Sequence, residues 1–562
     1  MKTHKIISIA VALGLLVSCG DRLDVTNPNK FTVEDINENI FLSGDESKIK
    51  LALEGMANTM PVQMMIYDTK LTKGYGNRWS ADATHQLAHD MLIGDIVSGP
   101  DAGHAGVFSN WYSVASDFPY YRYNADVVAN YANYISACVK ISNAIKVMQN
   151  ISEETIAKSS GATQAMLKDY RARCLVVYAL GYMELMEIYT DLSAPDSETA
   201  KGWPIYENYA YNTPVAPLSV KETWDRIIAD LQTAVKYFNE SIGYTLGNTE
   251  STLYDIDLGV AQYLLARAAL DCHRWDIAAT AANDIVSHYP NFISEENWGM
   301  SNETLESVAQ ITADHGFLDG FNSDKNAFFN FKVNPEVILG WEASESVGAN
   351  VTRKSAIPFV LQNPLLNGNM QSAWQIDADL YNKIPDADFR KDRIASEDVA
   401  YPFYTVNTVG SDTTFFAGIV VPKYTNLKYA ATESRDGKTI HDNSTWLTDF
   451  PYYRSSAAYL MLAEAYAQQG NTSGAKAALD KLLAARTKKG STPMTSNGSL
   501  DEVKLQWRIE FWGESNWSFL NAKRWGDIAN YRKGANHWAK SVTPTLIWEV
   551  PEEETIGNPY WN

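Results

Sequence analysis

The chain has 562 residues, of which 45% are hydrophobic and 20% charged, and its formal net charge is −20 at pH 7. An acidic surface repels phosphate backbones and anionic lipid headgroups, so nucleic acid is not expected as a partner. The length would suit several domains. No Pro-, Ser- or Gly-rich linker divides the chain, however, and we expect one compact body with insertions.

The N-terminal segment has the pattern of a targeting signal. Lys2 and Lys5 precede an apolar stretch at 6–17, which is shorter than the roughly 20 apolar residues of a membrane-spanning helix. The stretch ends in Leu-Val-Ser-Cys, which resembles a bacterial lipobox whose cysteine, Cys19, is acylated. We expect a lipoprotein signal peptide at 1–18, a lipid-anchored tether at 19–40 and the body at 41–562. A plain secretory signal with a chance cysteine is the alternative.

Three further cysteines, Cys138, Cys174 and Cys272, lie in stretches with helical periodicity and apolar neighbours. An odd number cannot pair completely within the chain, and none of them forms a C-x-x-C motif. We interpret them as buried free thiols that pack as small hydrophobic groups.

Helical periodicity is strong at 172–189 and at 219–238, where apolar residues recur at i, i+3, i+4 and i+7. The second stretch begins with Ser219 followed three residues later by Glu222, which predicts a capping box.

Two distant segments, 266–286 and 463–483, resemble each other when aligned without a gap. Ala268 then matches Ala465 and Ala278 matches Ala475, and each segment reads as a helix, a short turn and a second helix. This layout is typical of tetratricopeptide units, which stack so that each hairpin buries its apolar face on the next. With 133–151 and the two periodic stretches, the sequence predicts about four such units and a mainly all-α scaffold.

Two regions differ from this scaffold. Residues 291–450 and 68–125 are rich in aromatic residues, Asn and Gly, and show little sustained helical period. Long irregular insertions on a regular scaffold commonly carry function, so we expect part of a ligand site in each.

Catalytic motifs are missing from the sequence. His85 and His89 are four residues apart, but Gln86 replaces the glutamate that acts as general base in zinc hydrolases. A metal held by these histidines with Asp82 or Asp90 is a remote alternative, and no cofactor or metal is expected.

Aromatic residues beside polar groups are the remaining signal, since the chain has 16 Trp and 31 Tyr. Sugar rings pack C–H patches on aromatic faces, and their hydroxyls bond to planar side chains such as Asp, Asn and Arg. Loop position and this chemistry together give a set of candidate ligand contacts. The candidates are Trp79, Asp82, Asn110, Trp111, Tyr112 and Trp298, with Trp341 and Trp374 as weaker members.

At this point the chain resembles the SusD/RagB-like outer-membrane lipoproteins of Bacteroidota. The resemblance depends on several stretches in the family's order behind a lipobox, and it departs at 456–459, Trp512 and Ser515. The stretches are "DRLDVTNPNKFT", "PLSVKETWDRIIADLQTAVKYF", "ALDCHRWDIAATAANDIVSHYP", "DADFRKDR", "YYRSSAAYLMLAEAYAQQGN", "RIEFWGESNWSFLNAKRWGD" and "VPEEETIGNPYWN".

The resemblance implies a non-catalytic binding protein on the outer face of the outer membrane. Members of the family cap a SusC-like TonB-dependent transporter and trap an oligosaccharide, or in some cases a peptide. The expected function is therefore glycan capture through loop aromatics, with delivery to such a transporter. Peptide capture on the same scaffold, a surface hydrolase and a protein–protein adaptor that uses the repeat face remain as alternatives.

Overall fold

The computed structural model describes residues 36–57, 60–64, 90, 93–98, 128–208, 213–246, 255–309, 323–341, 374–406, 413–430, 449–514, 516–537 and 546–561. Helices predominate in these residues, which confirms the predicted all-α class. The helices are α1 (Glu46–Ala57), α2 (Met60–Gln63), α3 (Val128–Met148), α4 (Glu153–Lys158), α5 (Gly161–Tyr189), α6 (Val220–Asn239), α7 (Leu258–Asp271), α8 (Trp275–His288), α9 (Asn302–Ala309), α10 (Ala378–Lys383), α11 (Ser455–Gln468), α12 (Thr472–Ala485), α13 (Leu500–Glu510), α14 (Trp517–Trp525) and α15 (Glu552–Gly557).

The strands form three antiparallel pairs. They are β1 (Ile96–Ser98), β2 (Val337–Trp341), β3 (Trp374–Ile376), β4 (Val399–Val406), β5 (Thr413–Val421) and β6 (Phe450–Arg454). Strand β1 pairs with β3, β2 pairs with β6, and β4 pairs with β5. Five of these strands lie within the predicted insertion at 291–450 or begin at its end, and their pairing there was not predicted.

The helices stack in chain order, as tetratricopeptide-like hairpins do. Helix α3 packs on α5, α5 on α6, α6 on α7, and α7 on α8, which then packs on the second hairpin, α11–α12. The small residues that align the two predicted repeats, Ala268 with Ala465 and Ala278 with Ala475, are all buried. Their lack of side-chain bulk lets the paired helices approach closely, which confirms the predicted hairpins.

Helix α6 begins at the predicted capping box. The Ser219 hydroxyl accepts a hydrogen bond from the Glu222 backbone N–H at 3.2 Å, and the Glu222 carboxylate accepts one from the Ser219 N–H at 2.9 Å. Two backbone donors that the helix cannot satisfy internally are thereby paired.

A close approach of α3 and α5 depends on Gly181. A Cβ atom at this position would lie 2.7 Å from Ile141 Cγ1 and 2.9 Å from the Ala137 carbonyl oxygen. Glycine is therefore required in the middle of α5 despite its low helix propensity.

The packed body includes residues that lie N-terminal to the predicted boundary at 41. Ile36 and Ile40 are partly buried against the core, and Phe41 is fully buried. Cys19 and the rest of 1–35 lie outside the described residues. In the part of the chain that the structure describes, no helix is long and apolar enough to span a bilayer.

The three cysteines are free thiols. Cys174 and Cys272 are buried, and Cys138 is half-buried. Burial raises the pKa of each thiol to about 12, so all three stay protonated at neutral pH, as expected for packing residues.

Candidate functional site: the bases of the aromatic segments

The pairing of β1 with β3 brings together the two chain segments in which most candidate ligand contacts were predicted. Ser98, the last residue of β1, lies opposite Trp374, the first residue of β3. Ser98 immediately precedes segment 99–127, which contains Asn110, Trp111 and Tyr112, and Trp374 immediately follows 342–373, so this pairing joins the chain positions that flank the two segments.

Asp95 fixes the start of β1 to α13 and α14. Its carboxylate accepts hydrogen bonds from Arg508 Nη2 at 2.6 Å, from Arg508 Nε at 3.0 Å and from the Ser518 hydroxyl at 2.8 Å. Its backbone carbonyl accepts from Trp512 Nε1 at 2.8 Å. The Arg508 guanidinium carbon also lies 4.3 Å from the centre of the Tyr531 ring, so this ring packs against the Asp95–Arg508 ion pair.

Asp90 lies immediately N-terminal to this clamp, where its carboxylate accepts the Phe519 backbone N–H at 3.1 Å. Burial, reinforced by the charge of Asp95, raises the pKa of Asp90 well above its usual range. This side chain is 1% exposed, so it is not offered to a metal ion at the surface.

Asp377 fixes the end of β3 in the same way. Its carboxylate caps α10 by accepting the Leu380 N–H, and it also accepts the Gly534 N–H at 2.8 Å and bonds to His537 Nε2 at 2.8 Å. Burial acts to raise the pKa of Asp377, but these hydrogen bonds, that of His537 first, outweigh it and hold the pKa below its usual range. The Asn536 side chain adds a bond to the Ile376 carbonyl at 2.9 Å.

The paired strands β2 and β6 adjoin, in the chain, the segments 342–373 and 431–449. Trp341, which precedes 342–373 in the chain, lies opposite Phe450, which follows 431–449. At the other end of the pair, Arg454 lies opposite Val337 and bonds to Glu336 at 2.5 Å and to Glu514 at 2.7 Å.

A buried ion cluster surrounds Arg454. Glu510 accepts hydrogen bonds from Arg486 at 2.8 Å and from Arg390 at 2.8 Å, and it lies 3.3 Å from Arg454 Nη1. Burial acts to raise the pKa of Glu510, but the three guanidinium groups outweigh it and keep that pKa well below its usual range. The cluster pairs four cationic with four anionic side chains. They are Arg390, Arg454, Arg486 and Lys428, and Asp388, Glu336, Glu510 and Glu514.

Equal numbers of opposite charges offset much of the cost of removing them from water. Lys428 bonds to Glu514 and to the backbone carbonyls of Glu510 and Trp512, and burial lowers its pKa to about 8, so it remains largely charged at neutral pH. These bonds join α12, α13, β6 and residues 388–393 to one another.

Trp298 packs against this ion cluster, which corrects its predicted role as a ligand contact. Its side chain is 2% exposed, and its ring centre lies 4.3 Å from the Arg486 guanidinium carbon and 5.4 Å from Lys428 Nζ. Phe328 and Phe389 pack edge-on against the same ring. A ligand at the surface cannot contact this indole, so Trp298 is a core residue that covers the cations.

The other candidates are placed less directly. Trp341 and Trp374 are positioned by their backbone at the ends of β2 and β3. Trp79, Asp82, Asn110, Trp111 and Tyr112, together with His85 and His89, lie outside the described residues. Among the residues that are described, no three His, Cys, Asp or Glu side chains are grouped to bind a metal ion.

The buried charged residues that hold the strands were not predicted as a group, although most of them lie in the stretches that resemble the SusD/RagB-like family. Arg390 lies in "DADFRKDR", Arg454 in "YYRSSAAY", and Arg508, Glu510 and Glu514 in "RIEFWGES". The only indication in the sequence was that these charged residues lie at helix positions whose neighbours on the same face are apolar. Their pairing across distant stretches was not visible.

Comparison with known proteins agrees with the fold. Residues 390–547 match the family model described as the SusD family. A SusD-like carbohydrate-binding protein from Bacteroides vulgatus has 17% identity and a TM-score of 0.59, with 91% of this chain and 96% of that chain covered. A SusD superfamily protein from Bacteroides thetaiotaomicron has 17% identity and a TM-score of 0.57, with coverage of 90% and 98%.

A third solved structure is surface glycan-binding protein A from Bacteroides thetaiotaomicron, in complex with laminarihexaose. It shares 13% identity at a TM-score of 0.56, and the alignment covers 90% of this chain and 97% of that chain. The chain matches no curated protein sequence.

The stacked hairpins and clamped strand pairs define an all-α helical-repeat protein that holds long aromatic-rich segments. More specifically, this fold is similar to that of the SusD-like structures, and residues 390–547 match the SusD family model.

Proposed function

We propose that the protein is a non-catalytic, cell-surface glycan-binding lipoprotein that captures oligosaccharide or polysaccharide. In this proposal Cys19 carries the lipid anchor at the outer membrane, and the captured glycan passes to a SusC-like TonB-dependent transporter. Carbohydrate binding is supported by the family match and by the laminarihexaose complex of a protein with the same fold.

The observation that carries the proposal is the pairing of Ser98 with Trp374 at the junction of β1 and β3. This pairing joins the bases of two aromatic-rich segments, and both strands are held by buried, multiply bonded carboxylates at Asp95 and Asp377. A binding site whose flanking strands are held rigidly loses less conformational entropy when it takes up a ligand. Aromatic faces with Asn and Asp beside them suit sugar rings better than extended peptides.

The test is binding of a chain that begins at residue 20, and so keeps every residue that the structure describes, to a broad panel of polysaccharides and oligosaccharides. Wild type, Trp111→Ala and Tyr560→Ala are compared. Tyr560 is a surface aromatic residue, 54% exposed, that lies outside the predicted set and serves as the matched control.

We expect wild type and Tyr560→Ala to bind one class of glycan, and Trp111→Ala to bind it at least about fivefold more weakly, since an aromatic stacking contact is worth about 1 kcal/mol or more. Binding to peptides in place of glycans, or equal glycan affinity of all three proteins, would contradict the proposal.

A further inference from the structure

A cavity of about 490 Å³ lies between α3, α5, α15 and residues 203–208 and 213–214. Its volume falls within the roughly 300–1,000 Å³ of small-ligand sites. Four aromatic side chains and one carboxylate dominate its lining, namely Tyr134, Tyr182, Trp203, Tyr206 and Glu554.

Glu554 is a buried carboxylate held by neutral donors. It is 9% exposed, and it accepts hydrogen bonds from the Tyr134 hydroxyl at 2.8 Å and from Trp561 Nε1 at 2.8 Å. No basic side chain among the described residues forms an ion pair with it. The nearby Lys201 instead donates to the backbone carbonyl of Trp561 at 2.7 Å.

This arrangement contrasts with that of three other buried glutamates. Glu510, Glu464 and Glu187 are also buried, but each is paired with at least one arginine. A buried carboxylate without a counter-ion is costly, because neutral hydrogen bonds replace only part of its hydration. The cavity at Glu554 therefore has room and electrostatic demand for a cation.

The aromatic walls provide the second half of a cation site. Tyr134 and Trp203 are stacked with ring centres 6.2 Å apart, and Trp203 packs edge-on against Trp561. The faces of such rings attract ammonium and guanidinium groups.

The C-terminal segment beside the cavity also exposes apolar surface. Gly557 lines the cavity, and its neighbours Ile556 and Tyr560 are 77% and 54% exposed. These two side chains leave apolar surface exposed within three residues of Gly557 in the chain.

We propose that this cavity binds a guanidinium or ammonium group carried by a basic side chain, with Glu554 as the counter-ion and Tyr134, Trp203 and Tyr206 as the aromatic walls. Ile556 and Tyr560 contact the apolar groups that flank the basic side chain. The proposal does not depend on the proposed glycan site.

The test is isothermal titration calorimetry at low salt with acetyl-Leu-Arg-Leu-amide, using the chain that begins at residue 20. The peptide that carries neutral citrulline in place of arginine is the ligand control, and agmatine tests whether the guanidinium group suffices without flanking residues. Glu554→Gln removes the charge and keeps the shape, while Glu553→Gln removes an exposed charge from the same helix and is the matched control.

We expect wild type and Glu553→Gln to bind the arginine peptide, and Glu554→Gln to bind it about tenfold to a hundredfold more weakly, as for loss of one charge-assisted contact. The citrulline peptide should bind wild type no better than the arginine peptide binds Glu554→Gln. Agmatine binding that depends on Glu554 also supports the site. No binding of either cation, or binding that is equal in Glu554→Gln, would overturn the proposal.

A second variant separates the site from any folding defect of Glu554→Gln. Ser142 lies in α3 and lines the cavity, so Ser142→Phe fills part of the space while leaving the carboxylate in place. It should weaken arginine-peptide binding at an unchanged melting temperature, and wild-type affinity in this variant would also count against the proposal.

Discussion

The clamp between Asp95 and Arg508 gives the sharpest test of how the aromatic segments are held. Asp95→Asn keeps the size of the side chain but removes the charge that the buried Arg508 faces. Three contacts within 3.1 Å join the carboxylate to Arg508, and a fourth joins it to the Ser518 hydroxyl. An asparagine amide can accept on one side only, and its NH₂ group then faces the guanidinium.

The expected loss in the free energy of unfolding is about 3–5 kcal/mol, the typical cost of leaving one partner of a buried ion pair uncompensated. The double variant Asp95→Asn/Arg508→Met removes both charges and should recover a large part of that loss, because the methionine stem replaces some of the packing of Arg508. Asp386 forms an exposed ion pair with Lys391, so Asp386→Asn should melt like wild type and serves as the control.

Urea unfolding followed by tryptophan fluorescence measures these differences, and the four proteins should share one m-value if unfolding is two-state. Glycan affinity of the folded Asp95→Asn protein should fall as well, since the base of the 99–127 segment is loosened. A loss below about 1 kcal/mol, or a double variant less stable than Asp95→Asn, would refute the clamp as the source of rigidity.

Four further outcomes follow from the same contacts. Ser219→Ala should lower the free energy of unfolding by about 1 kcal/mol through loss of the capping box, as a urea titration would report. Because the folded-state pKa of Glu510 lies below the roughly 4.3 of an unfolded glutamate, its charge stabilises the fold above that pH. Stability should then fall on acidification below about pH 4.3, and a flat profile from pH 5 to 3 would show that Glu510 is not ionised in the fold. Trp298→Ala should lower the free energy of unfolding by about 3–5 kcal/mol and leave glycan affinity unchanged. Weaker glycan binding by the folded variant would indicate that Trp298 contacts the ligand. Cys174 and Cys272 should react with a thiol reagent only in denaturant, whereas rapid labelling of the native protein would contradict their burial.

Local patterns were sufficient to predict the helical scaffold. The capping box at Ser219 and Glu222 and the alanines of the two hairpins act within a few residues of chain, so their consequences can be derived from spacing alone. The same applies to the free thiols, since each lies on an apolar-periodic stretch. These features depend on helix geometry, which is the same wherever the helix sits in a fold.

The candidate site was less predictable, and Trp298 illustrates the reason. Its neighbours in sequence, 294–302, have the Asn- and Gly-containing texture of a surface loop. The groups that cover its ring come from Lys428, Arg454 and Arg486, each more than a hundred residues away along the chain. Burial of one aromatic ring depends on which distant segments pack over it, and no local spacing encodes that.

The sequence by itself therefore determined the repeat helices, their caps and the regions rich in aromatic residues, because short-range periodicity and backbone capping are properties of neighbouring residues. Only the tertiary structure decided that β1 pairs with β3, that Asp95 meets Arg508, and that Glu554 is buried among aromatic rings with no ion-pair partner among the described residues. Those outcomes depend on the desolvation of charges by distant parts of the chain, and the cost of a buried charge exists only once the surrounding fold has excluded water.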